Sequence, residues 1–225
     1  MNTNWTTKDR LGLLVIPVEL LISVLIFKVF FKHLGPNIAL IINLVIFGLG
    51  FCIMLYLFGS VLKAQFHQYK KRLWLKLLLN IGLTLGAYGV LSFTRGLMGT
   101  SLEANPLESI TYGSLFVMIA ASIQPLLAPF AEELTFRYLL FMKIKPGVLK
   151  LIMFFVSSIL FGLIHYFNFN GSVIDTVPYM IVGAYFALIC YFFKNIWGSI
   201  FTHFFFNATN SFFPAILLLL AKLIS

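Results

Sequence analysis

Six polar side chains in the second half of the chain are of the types that amide hydrolysis needs, and each lies inside an apolar run. They are Glu132, Glu133, Arg137, His165, His203 and Asn207. A carboxylate can take a proton from water, a histidine can orient that water or pass the proton on, and Asn and His can donate hydrogen bonds to a developing oxyanion. Ionisable groups at bilayer depth are costly unless they are paired or face a water-filled cavity, so these residues are candidates for a functional site.

The spacing within the first group separates the two glutamates. Glu133 and Arg137 stand four residues apart with the acid first, so they can pair on one helix face. Glu132 is turned by about 100° and has no such partner. Pro129 suits a first helical turn, where carboxylates are favoured, so the pattern predicts a helix start here. The alternative is that arginines and lysines neutralise both acids as purely structural pairs.

The two histidines are less distinctive when taken singly. His203 and Asn207 are four residues apart and can point from one helix face into a bundle, whereas a lone histidine such as His165 is more often a satisfied core residue. Measured as helix rise from the next cytoplasmic lysine, Glu132, His165 and His203 lie about 16, 22 and 13 Å deep. Three groups from separate spans therefore fall near one level, which predicts a common polar cavity.

The composition indicates a polytopic membrane protein of the all-α class. Of the 225 residues, 60% are hydrophobic and 10% are charged, and apolar runs of about 20 residues recur throughout. We expect a transmembrane helical bundle with seven or eight spans, forming a single membrane domain over residues 1–225. The net charge of +9 favours lysines and arginines held on the cytoplasmic side over nucleic-acid binding. We therefore expect a cell-membrane protein in a lipid bilayer, with its N-terminus cytoplasmic.

The predicted spans cover residues 11–31, 37–62, 74–93, 110–142, 151–167, 177–193 and 196–224. The fourth run is too long for one perpendicular helix, since it would extend about 50 Å against a hydrocarbon core of about 30 Å. It must kink or break, and Pro125 and Pro129 are the obvious places. The last run is interrupted at Pro214, as one kinked helix or as a span plus a short helix. In the first span we expect Glu19 to be a packed, paired acid.

The sequence singles out no serine or cysteine nucleophile. Ser157, Ser158 and Ser199 lie near the polar groups, but no histidine–carboxylate pairing selects one of them. Zinc accepts histidine and carboxylate ligands, yet the chain has no HExxH helix. Zinc is therefore permitted rather than indicated, and we expect no cofactor.

Three motifs, in order, resemble those of the CAAX protease and bacteriocin-processing family, also called the Abi family, of intramembrane proteases. The family's EExxxR, FxxxH and HxxxN correspond to residues 132–137, 161–165 and 203–207. The likeness covers residues 126–213, which we expect to be the catalytic core. Tyr138 stands where the family commonly has glycine after the arginine, and this difference concerns local packing more than chemistry.

The resemblance implies a glutamate-dependent intramembrane endopeptidase that acts on a membrane-associated peptide or protein. Glu132 and His165 would activate the water. His203 and Asn207 would form the oxyanion hole, while the second glutamate and the arginine of the first motif would hold the site in shape. Many short bacterial members are tied to bacteriocin maturation or self-immunity, so a non-catalytic bacteriocin immunity protein is the alternative. A transporter that uses the acids and histidines as a proton relay is a third possibility.

Overall fold

The computed structural model describes residues 4–30, 35–99 and 115–224, which form a bundle of helices with no strand in those ranges. The α-helices are α1 Thr7–Val24, α2 Pro36–Tyr69, α3 Leu73–Met98, α4 Leu115–Glu132, α5 Val148–Leu163, α6 Val173–Phe193, α7 Ile196–Asn210 and α8 Phe212–Ile224. Two π-helical segments, Leu25–Phe30 and Glu133–Met142, continue α1 and α4, and a 3₁₀ turn, Tyr166–Phe169, follows α5. The predicted all-α class is confirmed.

Five helical stretches in the described part of the chain are long and apolar enough to cross a membrane. They are Thr7–Phe27, Asn37–Tyr69, Leu73–Met98, Val173–Phe193 and Ile196–Ala221. Leu85, Leu97 and Phe192 are 68, 70 and 74% exposed, as expected of side chains that face lipid. The chain is therefore a multi-pass membrane protein, and the five stretches agree roughly with the predicted seven or eight spans. The start of the predicted fourth run, 110–114, lies outside the described residues.

The fourth span passes through both of its prolines without a break, so the predicted helix start at Pro129 is wrong. α4 includes Pro125 and Pro129, and the change comes at Glu133, where the helix widens to the π form. Pro129 lacks the N–H that the carbonyl of Pro125 would accept. Asn207 Nδ2 donates to that carbonyl instead, at 2.8 Å. A side chain of α7 thus satisfies the freed carbonyl and allows the helix to continue.

The last apolar run forms two helices, which settles the choice that the sequence left open. α7 ends at Asn210 and α8 begins at Phe212, so the interruption falls at Ser211. Pro214 lies in the first turn of α8, where its missing N–H leaves no helical bond unmade. Ser211 Oγ donates to the carbonyl of Asn207 at 2.7 Å and so caps the end of α7.

A buried ion pair ties the start of α1 to the end of the π-helical segment after α4. Thr6 and Asp9 form a capping box. Lys143 Nζ donates to Asp9 Oδ2 at 2.5 Å and to the Asn4 carbonyl at 3.1 Å. The N-terminal residues and Lys143 therefore lie at the same end of the bundle, as a common side of the membrane requires.

Close packing of α5 against α6 positions an aromatic ring beside the polar groups. A Cβ added at Gly183 of α6 would lie 2.9 Å from the Phe161 ring and 3.0 Å from the Ser158 carbonyl of α5. Small residues at such contacts let membrane helices approach each other. The Phe161 ring is thereby held edge-on to Phe186, with 6.0 Å between the ring centroids.

Candidate active site

The Glu133 and Arg137 side chains pair, as their spacing predicts. Both residues are fully buried, and Arg137 Nη1 lies 3.2 Å from Glu133 Oε1. This contact is an ion pair without hydrogen-bond alignment, because Nη1 has no hydrogen-bond partner among the described residues. Arg137 Nη2 donates to the Gly183 carbonyl at 3.0 Å, and the guanidinium lies 4.0 Å from the centre of the Phe161 ring. The charge is thus held by a carboxylate, a backbone carbonyl and an aromatic face.

The Glu133 carboxylate is engaged on both of its oxygens. Besides Arg137, His203 Nδ1 lies 3.0 Å from Oε1, and Ser199 Oγ donates to Oε2. Ser199 and His203 are one helical turn apart on α7, so a single face of that helix binds the acid. With these partners, Glu133 serves as an anchor between α7 and the π-helical segment rather than as a free base.

The neighbouring Glu132 carboxyl is buried but not engaged in this way. Glu132 is 7% exposed, and its Oε2 lies 3.7 Å from His203 Nε2, too far for a hydrogen bond. This oxygen has no hydrogen-bond partner within the described residues. Buried polar atoms are nearly always satisfied, so an unpartnered carboxylate oxygen marks a place for water or for a ligand.

His203 lies between the two glutamates, and its ring is fixed from both sides. The imidazole stacks on Phe186 at 4.7 Å and meets the edge of Phe161 at 5.5 Å. A carboxylate only accepts hydrogen bonds, so the contact with Glu133 assigns a hydrogen to Nδ1 and directs Nε2 toward Glu132. One acid thus holds Nδ1 of the histidine, and the other nitrogen, Nε2, is left to face the reacting groups.

His165 reaches the same group of aromatic rings from the end of α5. It lies just before the 3₁₀ turn. Its ring is tilted by 37° against that of Tyr179, with 4.5 Å between the centroids, and meets the Phe161 ring edge-on at 5.6 Å. Both histidines therefore contact the same phenyl ring and do not lie on opposite faces of the bundle. The Nε2 atom of His165 is buried without a hydrogen-bond partner in the described part of the chain, so it too is free to bind water or substrate.

Asn207 has a structural partner that the sequence did not indicate. Its Nδ2 donates to the Pro125 carbonyl, but an amide nitrogen carries two hydrogens, so one hydrogen remains for another acceptor. Asn207, His203 and Ser199 follow one another at intervals of four on α7. The amide is thus aligned with the residues that contact the two glutamates.

Sequence reasoning did not give three residues of this site their roles. Phe161 is 1% exposed and contacts Arg137 and both imidazoles, and its place four residues before His165 was the available signal. Ser199, considered only as a nucleophile, is a partner of Glu133. Tyr179 contacts the His165 ring and accepts a hydrogen bond from Arg95 Nη2 at 3.3 Å. The bond joins α6 to α3, and no local sequence pattern reveals it.

The described residues contain no group of three or more His, Cys, Asp or Glu side chains that could hold a metal ion. In a comparison with known families, residues 111–209 match the Rce1-like family. The description of that family is type II CAAX prenyl endopeptidase Rce1-like.

The predicted family resemblance is confirmed, because the Rce1-like match contains all three motifs. It supports a CAAX-type intramembrane endopeptidase. No curated protein and no solved structure matches the chain. Residues 1–110, including α1 to α3, lie outside the Rce1-like segment although α1 and α3 contact the elements that carry the site.

Proposed function

We propose that the chain is a glutamate-dependent intramembrane endopeptidase in which Glu132 activates the attacking water. The observation that carries the proposal is the contrast between two adjacent buried carboxyls. Glu133 is engaged by Arg137, His203 and Ser199, whereas Glu132 Oε2 has no hydrogen-bond partner in the described part and faces His203. Two carboxyls in unlike environments take different roles, and the unengaged one is suited to exchange protons.

In the proposed reaction, Glu132 transfers the protons and His165 positions the water. Glu132 takes a proton from water, and the resulting hydroxide attacks the carbonyl carbon of the scissile bond. His165, with an unpartnered Nε2, orients the water. When the carbon–nitrogen bond breaks, Glu132 gives its proton to the leaving amine, so that water and amide become acid and amine.

The developing oxyanion needs hydrogen-bond donors on the α7 side of the water. With Nδ1 held by Glu133, the imidazolium form of His203 directs its Nε2 hydrogen toward the side of Glu132, where the water is proposed to bind. The second Nδ2 hydrogen of Asn207 is the other donor. A donor of this kind typically raises kcat by a factor of about 10²–10³. Phe161 and Phe186 cover the site with apolar surface, which strengthens these hydrogen bonds.

The substrate we propose is a membrane-associated peptide or protein, with the CAAX-type C-terminus as the first candidate because of the family match. The decisive experiment incubates detergent-purified protein with fluorescent C-terminal peptides, farnesylated and unmodified, and compares wild type with Glu132→Gln. Cleavage by wild type and none by Glu132→Gln is the expected result. Cleavage at equal rates would remove Glu132 from the mechanism.

A non-catalytic bacteriocin immunity protein is the second candidate, and one observation favours it. Glu133, Arg137 and Asn207 each have a partner that holds helices together, so these motif residues have a purely structural use. The unpartnered atoms of Glu132 and His165 have no such use, and they favour the enzyme.

A further inference from the structure

A second buried carboxyl, Glu19, comes from the first helix. Glu19 is 6% exposed, and its Oε1 has no hydrogen-bond partner within the described ranges. No ion pair of Glu19 is found there either, so the expected paired acid is not observed. A buried acid that is neither paired nor hydrogen-bonded is costly and needs an explanation.

The neighbours of Glu19 place it beside the candidate site. Ile16 and Leu20, on the same side of α1, pack against the aromatic cluster that contains Phe161 and Phe186. Val15, one turn before Glu19 on α1, lies in the same core cluster as Ala131, the residue before Glu132. Glu132 is therefore approached by α1, which carries Glu19, and by His203 from α7.

α2 provides the space for this carboxyl. A Cβ added at Gly50 would fall on the Glu19 carboxyl group, so the absence of a side chain at Gly50 leaves room for the acid. The next residue, Phe51, meets Phe130 edge-on at 5.2 Å, two residues before Glu132. The carboxyl therefore lies at the junction of α1, α2 and α4.

Electrostatics decides which of the two acids is neutral. Two carboxyls that share a poorly solvated site do not both ionise readily. Glu132 faces His203 at 3.7 Å, whereas Glu19 has no cationic partner among the described residues. Glu19 is therefore the acid that keeps its proton, which makes it a hydrogen-bond donor toward its neighbour.

We propose that Glu19 is a positioning residue of the active site, whose neutral carboxyl donates a hydrogen bond through a bridging water to Glu132. One water between the two acids satisfies both unpartnered oxygens. The catalytic consequence rests on the proposed endopeptidase function. The assignment extends the site beyond the Rce1-like segment, because Glu19 lies outside residues 111–209.

The kinetic test uses two substitutions of Glu19 and one substitution each of Gly50 and Gly48. Glu19→Gln can still donate a hydrogen bond and is expected to stay close to the wild-type kcat. Glu19→Leu removes the donor, and kcat is expected to fall by about 10²-fold with KM nearly unchanged, as for a small misplacement of a reacting group. The fold survives Glu19→Leu, since replacing an unpaired buried acid with an apolar side chain of similar volume is neutral or stabilising.

Gly50→Ala displaces the carboxyl without removing it, so it is expected to lower kcat as Glu19→Leu does. Gly48→Ala is the matched control, since a Cβ there meets nothing within 4 Å, and it is expected to behave as wild type. A wild-type kcat in Glu19→Leu overturns the proposal while leaving the proposed function intact.

The contact between Glu19 and Glu132 is tested independently of any activity assay, by a double-mutant cycle measured in thermal unfolding. The Tm shift of Glu19→Leu combined with Glu132→Gln is expected to differ from the added single shifts by about 2–4 °C, since close pairs couple measurably. Additive shifts overturn the pairing. Coupling in a protein that cleaves no peptide would instead contradict the proposed function and keep the pairing.

Discussion

At the scale of single residues, the two adjacent glutamates differ in what their loss would remove. Glu133→Gln leaves Arg137 buried beside a neutral amide, and breaking a buried pair costs about 3–5 kcal/mol. For a chain of this size we expect a fall in Tm of about 10 °C. Glu132→Gln leaves the ion pair of Arg137 with Glu133 intact and is expected to unfold near the wild-type temperature.

The measurement is thermal unfolding in one detergent, with cleavage assayed on the same samples. Glu132→Gln is the matched control, because it makes the same chemical change one position earlier. A Glu133→Gln protein as stable as wild type would mean that the pair with Arg137 does not hold the fold.

The residue-scale pattern was largely predictable, and the reason is local geometry. The spacing of four between Glu133 and Arg137 defines their pairing on any helix-like backbone, and the same rule aligns His203 with Asn207. The contact of His203 with Glu133 could not be predicted, because it joins residues 70 apart in sequence. Ser199 was misjudged for the same reason, since its use depends on which helix faces α7.

At the scale of helices, the Asn207 side chain of α7 has two roles, because it bonds to α4 and is also the proposed oxyanion donor. Asn207→Ala would remove the proposed oxyanion donor and also leave the Pro125 carbonyl without its donor. The contact is part-buried, and the roughly 1–3 kcal/mol typical of a buried unsatisfied group is the upper limit of the cost, so Tm should fall. Turnover should fall by about 10²–10³, with substrate binding almost unchanged.

Pro129→Ala supplies the control. It restores an N–H that can bond the Pro125 carbonyl within α4, so Pro129→Ala with Asn207→Ala is expected to recover Tm but not turnover. Recovery of both in the double variant would show that Asn207 acts only by holding α4.

The helices were easier to predict than their internal irregularities. Long apolar runs set the number of helical elements, but nothing in residues 133–142 distinguishes a π-helix from an α-helix. The prolines were expected to kink or break α4, and α4 continues through both, because a distant side chain donates to the Pro125 carbonyl. Only the packed bundle determines whether such a partner is present.

At the scale of the whole molecule, the side of the membrane remains a prediction that cysteine labelling can check. The Asp9–Lys143 ion pair places the N-terminus at the same end of the bundle as Lys145. With Cys52 and Cys190 replaced by alanine, a membrane-impermeant maleimide should reach Trp5→Cys and Lys145→Cys only from the cytoplasmic side. Asn170→Cys, in the exposed turn after α5, should react only from outside, and the reverse pattern would invert the orientation.

A cellular assay separates protease from immunity protein. If proteolysis confers protection, Glu132→Gln and Asn207→Ala should lose bacteriocin resistance in proportion to their loss of peptide cleavage. A contact-blocking protein has no transition state to stabilise. Full resistance in well-expressed variants that no longer cleave would favour the immunity protein over the protease.

The hydrogen bond between Asn207 and the Pro125 carbonyl also constrains the order in which this sequence can change. While residue 129 is proline, replacing Asn207 with a side chain that cannot donate leaves a part-buried carbonyl unsatisfied, so that change is penalised even in a chain that has no need of catalysis. Once Pro129 has been replaced, the N–H of residue 129 can donate to the Pro125 carbonyl within α4. Position 207 then no longer needs a hydrogen-bond donor. A lineage that loses the activity is therefore expected to substitute Pro129 before Asn207, and a protein with proline 129 but no asparagine 207 should carry a compensating donor nearby.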